Sequence, residues 1–151
     1  MTSDLAALYQ QIIIDHSKSP RNFRKLEDAN RSAVGDNPLC GDRLTLYVRL
    51  EGDTLADIGF EGTGCAISKA SASLMTAAVK GRSVAEAEWL FHSFHDMVAG
   101  GAEAPADATA LGKLAAFAGV RQFPVRVKCA NLPWHTQHAA LAAQPAPVTT
   151  E

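Results

Sequence analysis

Paired cysteines are missing from this 151-residue chain: it has three, Cys40, Cys65 and Cys129, and no Cys-x-x-Cys. An odd, widely spaced set excludes the disulfide framework of a small secreted domain. It points instead to metal binding or catalysis in a reducing compartment. A basic excess is missing too. Fourteen Lys and Arg stand against 16 Asp and Glu, with no basic stripe, so nucleic acid is not an expected partner. No apolar run approaches the ~20 residues of a membrane span, so no membrane is expected either. Met1-Thr2-Ser3-Asp4 lacks the basic and apolar regions of a secretory signal, which makes a cytoplasmic address the expectation. There is no internal repeat and no dividing linker. A single domain is expected over residues 1–143, followed by a disordered tail, 144–151, with two prolines and no core residues.

Apolar residues make up 47% of the chain and mean hydropathy is near zero, which suits one globular domain with a real core. Leu5, Leu8, Ile12 and Ile13 recur at helical spacing, and Pro20 ends that helix near Ser17 to Ser19. From Arg43 to Glu51 the period becomes two, with Leu44, Leu46, Val48 and Leu50 on one face. Gly52-Asp53 turns the chain into a second strand, Thr54 to Glu61, and a weak third strand lies near Arg31 to Val34. Ala66 to Lys80 reads as a helix that Gly81 ends. Ser83-Val84-Ala85-Glu86 is a capping box opening another helix to about Val98, with Trp89, Leu90, Phe94, Met97 and Val98 as its apolar face, stopped by Gly100-Gly101. A loop at 102–108, a short helix from Thr109 to Ala118 and a last helix from Ala130 to Ala143 complete the reading. The expected class is α+β: an antiparallel three-stranded sheet with helices packed on one face.

The cysteines sit at glycine- or charge-marked breaks. Cys40 lies in Asn37-Pro38-Leu39-Cys40-Gly41-Asp42, and an extended backbone there would point Cys40 and Asp42 to one side. Cys65 follows Gly62-Thr63-Gly64 at a strand-to-helix junction, where unpaired amides stabilise a thiolate. Cys129 is expected near the start of the last helix, with the positive charge of Lys128 beside it. Any one of these cysteines alone reads as a small buried residue. Together, three thiolates and the Asp42 carboxylate form a donor set suited to zinc or an iron–sulfur cluster.

Other candidates carry less. His92 and His95, and His135 and His138, are spaced three apart on helices, but no neighbouring carboxylate or cysteine completes a site, so rim or surface roles are expected. Ser68, Ser71 and Ser73 have no paired base and read as small residues allowing close helix–sheet packing. Gly62-Thr63-Gly64 lacks the third glycine of a dinucleotide fingerprint. The His-x-Glu and Pro-Cys-x-x-Cys runs of zinc deaminases are absent.

With Ser19-Pro20-Arg21-Asn22-Phe23, the Cys40 and Cys65 motifs, Ala70-Ser71-Ala72-Ser73 and Val127-Lys128-Cys129-Ala130, in that order, the chain resembles the U-type iron–sulfur cluster assembly proteins, the IscU, SufU and NifU N-terminal family, from about Leu5 to Leu141. The resemblance implies Cys40, Asp42, Cys65 and Cys129 as metal ligands. It is nearest the SufU branch, because Lys128 stands where the IscU branch has histidine and the stretch from Gly100 to Gly119 is similar to a SufU insertion. That branch implies a zinc-dependent sulfurtransferase. Cys40, after leaving zinc, would accept persulfide sulfur from a cysteine desulfurase dependent on pyridoxal phosphate, Lys128 would tune the site, and downstream iron–sulfur assembly proteins or apo-proteins would receive the sulfur. The alternative is a scaffold carrying a [2Fe–2S] cluster on the same ligands. Phe123-Pro124-Val125-Arg126 departs from the Leu-Pro-Pro-Val-Lys motif that the IscU branch presents to its Hsp70-type chaperone. Asn131 and Pro133 replace small residues usual after the last cysteine.

Overall fold

Alternation in β2 (Asp42–Glu51) sets the architecture. Asp42, Leu44, Leu46 and Val48 are buried while the residues between them face outward, so one face of the sheet is covered and the other is not. The computed structural model describes residues 2–37, 41–99, 111–142 and 148–149. β1 (Arg31–Asn37) pairs antiparallel with β2, and β2 with β3 (Thr54–Thr63), across the Gly52-Asp53 turn, where Gly52 has φ 63°. The α+β class and the antiparallel three-stranded sheet are as expected, though β1 runs three residues beyond Val34. A two-residue strand, β4 (Val148–Thr149), adds to β1 in parallel, giving the order β3-β2-β1-β4. The sequence expects disorder there; the rest of that tail, like the expected loop at 102–108, lies outside the described residues.

Among the described residues, four α-helices and one 3₁₀ helix accompany the sheet. α1 (Thr2–Lys18) packs on α2 (Ala66–Val79), which leaves β3 and ends at Gly81, φ 82°. α3 (Val84–Ala99) starts from the expected capping box: Glu86 N–H donates to Ser83 Oγ at 3.1 Å, and Ser83 N–H to Glu86 Oε1 at 3.2 Å. Trp89, expected on its apolar face, is 52% exposed instead. The expected helix at 109–118 is a 3₁₀ helix over Gly112–Gln122 that does not stop at Gly119. α4 begins at Pro124, not Ala130, and runs to Leu141. Proline at the first helical turn is a favourable start, because its missing N–H would have no partner there. α4 lies on β1 and β2 and also touches α2 and α3, so it is buried nearly all round. Trp134 of α4 stacks on Phe94 of α3 at 4.8 Å, and Phe94 meets Phe117 edge-on at 5.5 Å. Among the described residues no helix is long and apolar enough to cross a membrane.

The Pro20 to Leu26 segment covers the β3 edge. Asn22, at φ 60°, accepts the Phe60 N–H, and Phe23 packs edge-on against Phe60 at 5.1 Å. Ser73 and Ser71 of α2 face α1 and α4: Ser73 Oγ lies 2.7 Å from His16 Nδ1, and Ser71 Oγ donates to the Ala130 carbonyl at 2.6 Å. Burial, reinforced by Arg21 and Lys113 and opposed by Asp15, holds the His16 imidazole below its usual range. Burial, with His95 and His138, does the same to His135. The fold thus favours the neutral form of both rings, so unfolding takes up protons below about pH 6.5. Their stabilising contribution is complete above that pH and is lost as pH falls through the depressed folded values. Denaturant midpoints should therefore drop between pH 7 and pH 5, and drop less in His16→Asn, which retains a polar atom for Ser73. Parallel curves for the two proteins would remove His16 as a source.

Candidate metal centre

The strand register builds one end of the sheet into a site. Asn37, the last residue of β1, stands opposite Asp42, the first of β2. Next along, Arg43 stands opposite Thr63, the last residue of β3. The end of β1, the start of β2 and the exit of β3 into α2 thus share one end of the sheet. Asp42 falls on the inward parity of β2 and is fully buried.

Its carboxylate is fixed by α2. Asp42 Oδ1 accepts the Cys65 N–H at 2.8 Å, and Oδ2 lies 3.8 Å from Cys65 Sγ. Gly64 makes this possible: a Cβ there would come within 2.7 Å of Asp42 Oδ1. Cys65 is the N-cap of α2, with φ −73° and ψ 168°, and its sulfur accepts the Ser68 N–H at 3.4 Å. Cys65 is half-buried and Cys129 fully buried, and neither is in a disulfide. Cys129 is six residues into α4, not at its start, because the helix begins earlier than expected. Pro133, inside the helix, supplies no N–H to the Cys129 carbonyl one turn back. The Ser71 bond to Ala130 ties this part of α4 to α2.

One ligand atom each from Asp42, Cys65 and Cys129 lies within 4.8 Å of the others. This is the convergence that spacing alone could only suggest. Cys40, two residues before Asp42, lies outside the described residues. Lys128 is half-buried beside Cys129. The histidines of α3 and α4, His92, His95, His135 and His138, go elsewhere. They surround Phe91 at ring-centroid distances from 5.1 to 6.3 Å, and His138 Nδ1 pairs with Glu88 at 2.9 Å.

Two features of the site were not singled out from the sequence. Gly64 could have been suspected only from its place before a cap. Asn37 was visible as part of a motif, but its inward parity depends on β1 reaching that far.

A model of the NifU-like N terminal domain family matches residues 8–130. The chain belongs to that family. Among its relatives, this NifU-like chain is 44% identical to the zinc-dependent sulfurtransferase SufU of Bacillus subtilis over 144 residues, 94% of this chain and 95% of that one. It is 42% identical to the iron–sulfur cluster assembly scaffold protein IscU of Streptococcus pyogenes, over 92% of this chain and 86% of that protein. Its fold matches the crystal structure of a candidate SUF-system assembly scaffold from Fervidobacterium islandicum with a TM-score of 0.81, at 38% identity, covering 87% and 94% of the two chains.

Proposed function

We propose that this NifU-like chain serves iron–sulfur cluster assembly as a zinc-dependent sulfurtransferase, taking persulfide sulfur from a pyridoxal-phosphate-dependent cysteine desulfurase. The observation that carries the reading is the gathering of Asp42, Cys65 and Cys129 ligand atoms within 4.8 Å. Tetrahedral zinc with sulfur at ~2.3 Å needs its ligands about 3.8 Å apart, so a small inward adjustment of these side chains suffices. Two thiolates and a carboxylate, with Cys40 as fourth donor, suit a borderline-soft ion. Zinc, when bound, would keep the thiolates deprotonated and guarded against disulfide formation.

In the transfer itself Cys40 is the nucleophile. Its thiolate attacks the outer sulfur of the donor's cysteine persulfide. The donor S–S bond breaks, the donor cysteine leaves as thiolate, and a new S–S bond forms on Cys40. The moving sulfur keeps its oxidation state, so no outside oxidant or reductant is needed. Lys128 adds positive charge where anionic sulfur accumulates. The sulfur then passes to downstream assembly proteins or apo-proteins.

The second reading is a scaffold holding a [2Fe–2S] cluster on the same four residues, favoured by the similarity to IscU of Streptococcus pyogenes. Metal analysis joined to a desulfurase assay separates the two. Relay predicts about one zinc per chain and stimulated desulfurase turnover that Cys40→Ala abolishes. A stable, transferable cluster with desulfurase turnover unchanged would replace relay by scaffold.

A further inference from the structure

We propose that Asn37 is a positioning residue of this centre, its amide N–H directed at the Cys129 sulfur. The inference rests on the metal-site reading above and adds a residue outside the ligand set.

Asn37 is fully buried at the inward parity of β1, in line with Ala33 and Gly35. Its Nδ2 lies 3.9 Å from Cys129 Sγ, across 92 residues of sequence. Its Oδ1 is buried and has no hydrogen-bond partner among the described residues. A half-satisfied amide in a core is unfavourable, and an apolar side chain of the same shape would not carry that cost. A polar group kept where stability argues against it marks a site with another demand on it. The demand here is the sulfur. A thiol is a weak acceptor, but a metal-bound thiolate is anionic and strengthens an N–H donated to it. The flipped amide would set a carbonyl oxygen against that charge, so the thiolate dictates which way the amide faces.

The ladder makes the arrangement specific. Asn37 and Asp42 are the last antiparallel pair between β1 and β2, and both side chains are inward. One backbone pairing therefore aims one ligand, Asp42, and the donor that steadies another, Cys129. Partners of this kind, outside the ligand set, orient the ligands and typically change metal affinity by about 10–100-fold.

Asn37→Leu tests this, because it keeps the side-chain shape and deletes both polar atoms. Full-length protein is stripped of metal and titrated with Co2+, whose sulfur-to-cobalt charge-transfer bands report the thiolate donors directly. Zinc affinity is measured by competition with a chelator. The variant should keep or raise its metal-free stability, shift the charge-transfer band to lower energy and bind zinc at least ~10-fold more weakly. An unchanged band and affinity in a folded variant overturn the role of Asn37. Absence of a sulfur-to-cobalt band in the wild type defeats the metal reading itself, which separates the two failures. If Asn37→Leu is unfolded without metal, Asn37→Ala is measured in its place, and the same band decides.

Discussion

Cys65→Ser should bind zinc roughly a hundredfold more weakly than wild type while keeping its metal-free stability. The structure gives the Cys65 sulfur a capping role, and the proposed function adds a metal-binding one. It caps α2 through the Ser68 N–H at 3.4 Å, and it stands 3.8 Å from Asp42 Oδ2 in the donor set. Sulfur is a weak acceptor, whereas serine is among the preferred N-cap residues. The capping role therefore survives the substitution or improves. The metal role does not, because a neutral hydroxyl replaces a soft anionic ligand. A four-ligand structural zinc site is worth on the order of 10–16 kcal/mol, so one thiolate accounts for about 3 kcal/mol, roughly two powers of ten in affinity. Chelator competition measures the affinity, and urea unfolding in excess chelator measures the metal-free stability. Cys65→Ala, which loses the cap as well, should fall in both. Wild-type zinc affinity in Cys65→Ser would remove Cys65 from the ligand set.

That double role explains what could be read in the sequence. The β2–β3 hairpin was legible because alternation over Arg43 to Leu50 admits only one half-buried strand. The start of α2 was legible because Gly62 and Gly64 break the strand just before an alanine-rich run. β1 was underread: Gly35, Asp36 and Asn37 are poor strand formers, held in place by pairing with β2. α4 was started six residues late for a different reason. A helix buried on every side has no single apolar stripe, and Asn131, Thr136 and Gln137 are as deeply buried in it as Leu132 and Trp134. The sequence pattern therefore sets Cys129 at a helix start, whereas it lies inside the helix. The proposed ligand residues stand out in the sequence as motifs. The meeting of Asp42, Cys65 and Cys129 does not, since it depends on the β1–β2–β3 register and on the path of α4.

Gly35→Ala should destabilise the protein by about 2–3 kcal/mol, and Gly35→Val by more. Gly35 lies in ordinary strand backbone, so a side chain would meet no conformational penalty there. The penalty is contact: a Cβ at Gly35 would overlap the Thr136 hydroxyl and lie 3.1 Å from Leu132 Cδ1. Thr136 cannot swing away without cost, because it is fully buried and donates to the Leu132 carbonyl at 2.7 Å. Removing the hydroxyl should give part of the loss back. Gly35→Ala in a Thr136→Ala background is expected to cost at least ~1 kcal/mol less than alone, a coupling typical of touching residues. The same contact governs the site. β1 ends on Asn37 two residues after Gly35, and α4 carries Cys129 two turns before Thr136. Pushing strand and helix apart at Gly35 must separate Asn37 and Cys129, so zinc affinity should fall together with stability and recover with it in the double variant. An unaltered urea midpoint in Gly35→Ala would mean that the strand and α4 are not in the contact on which this centre is built.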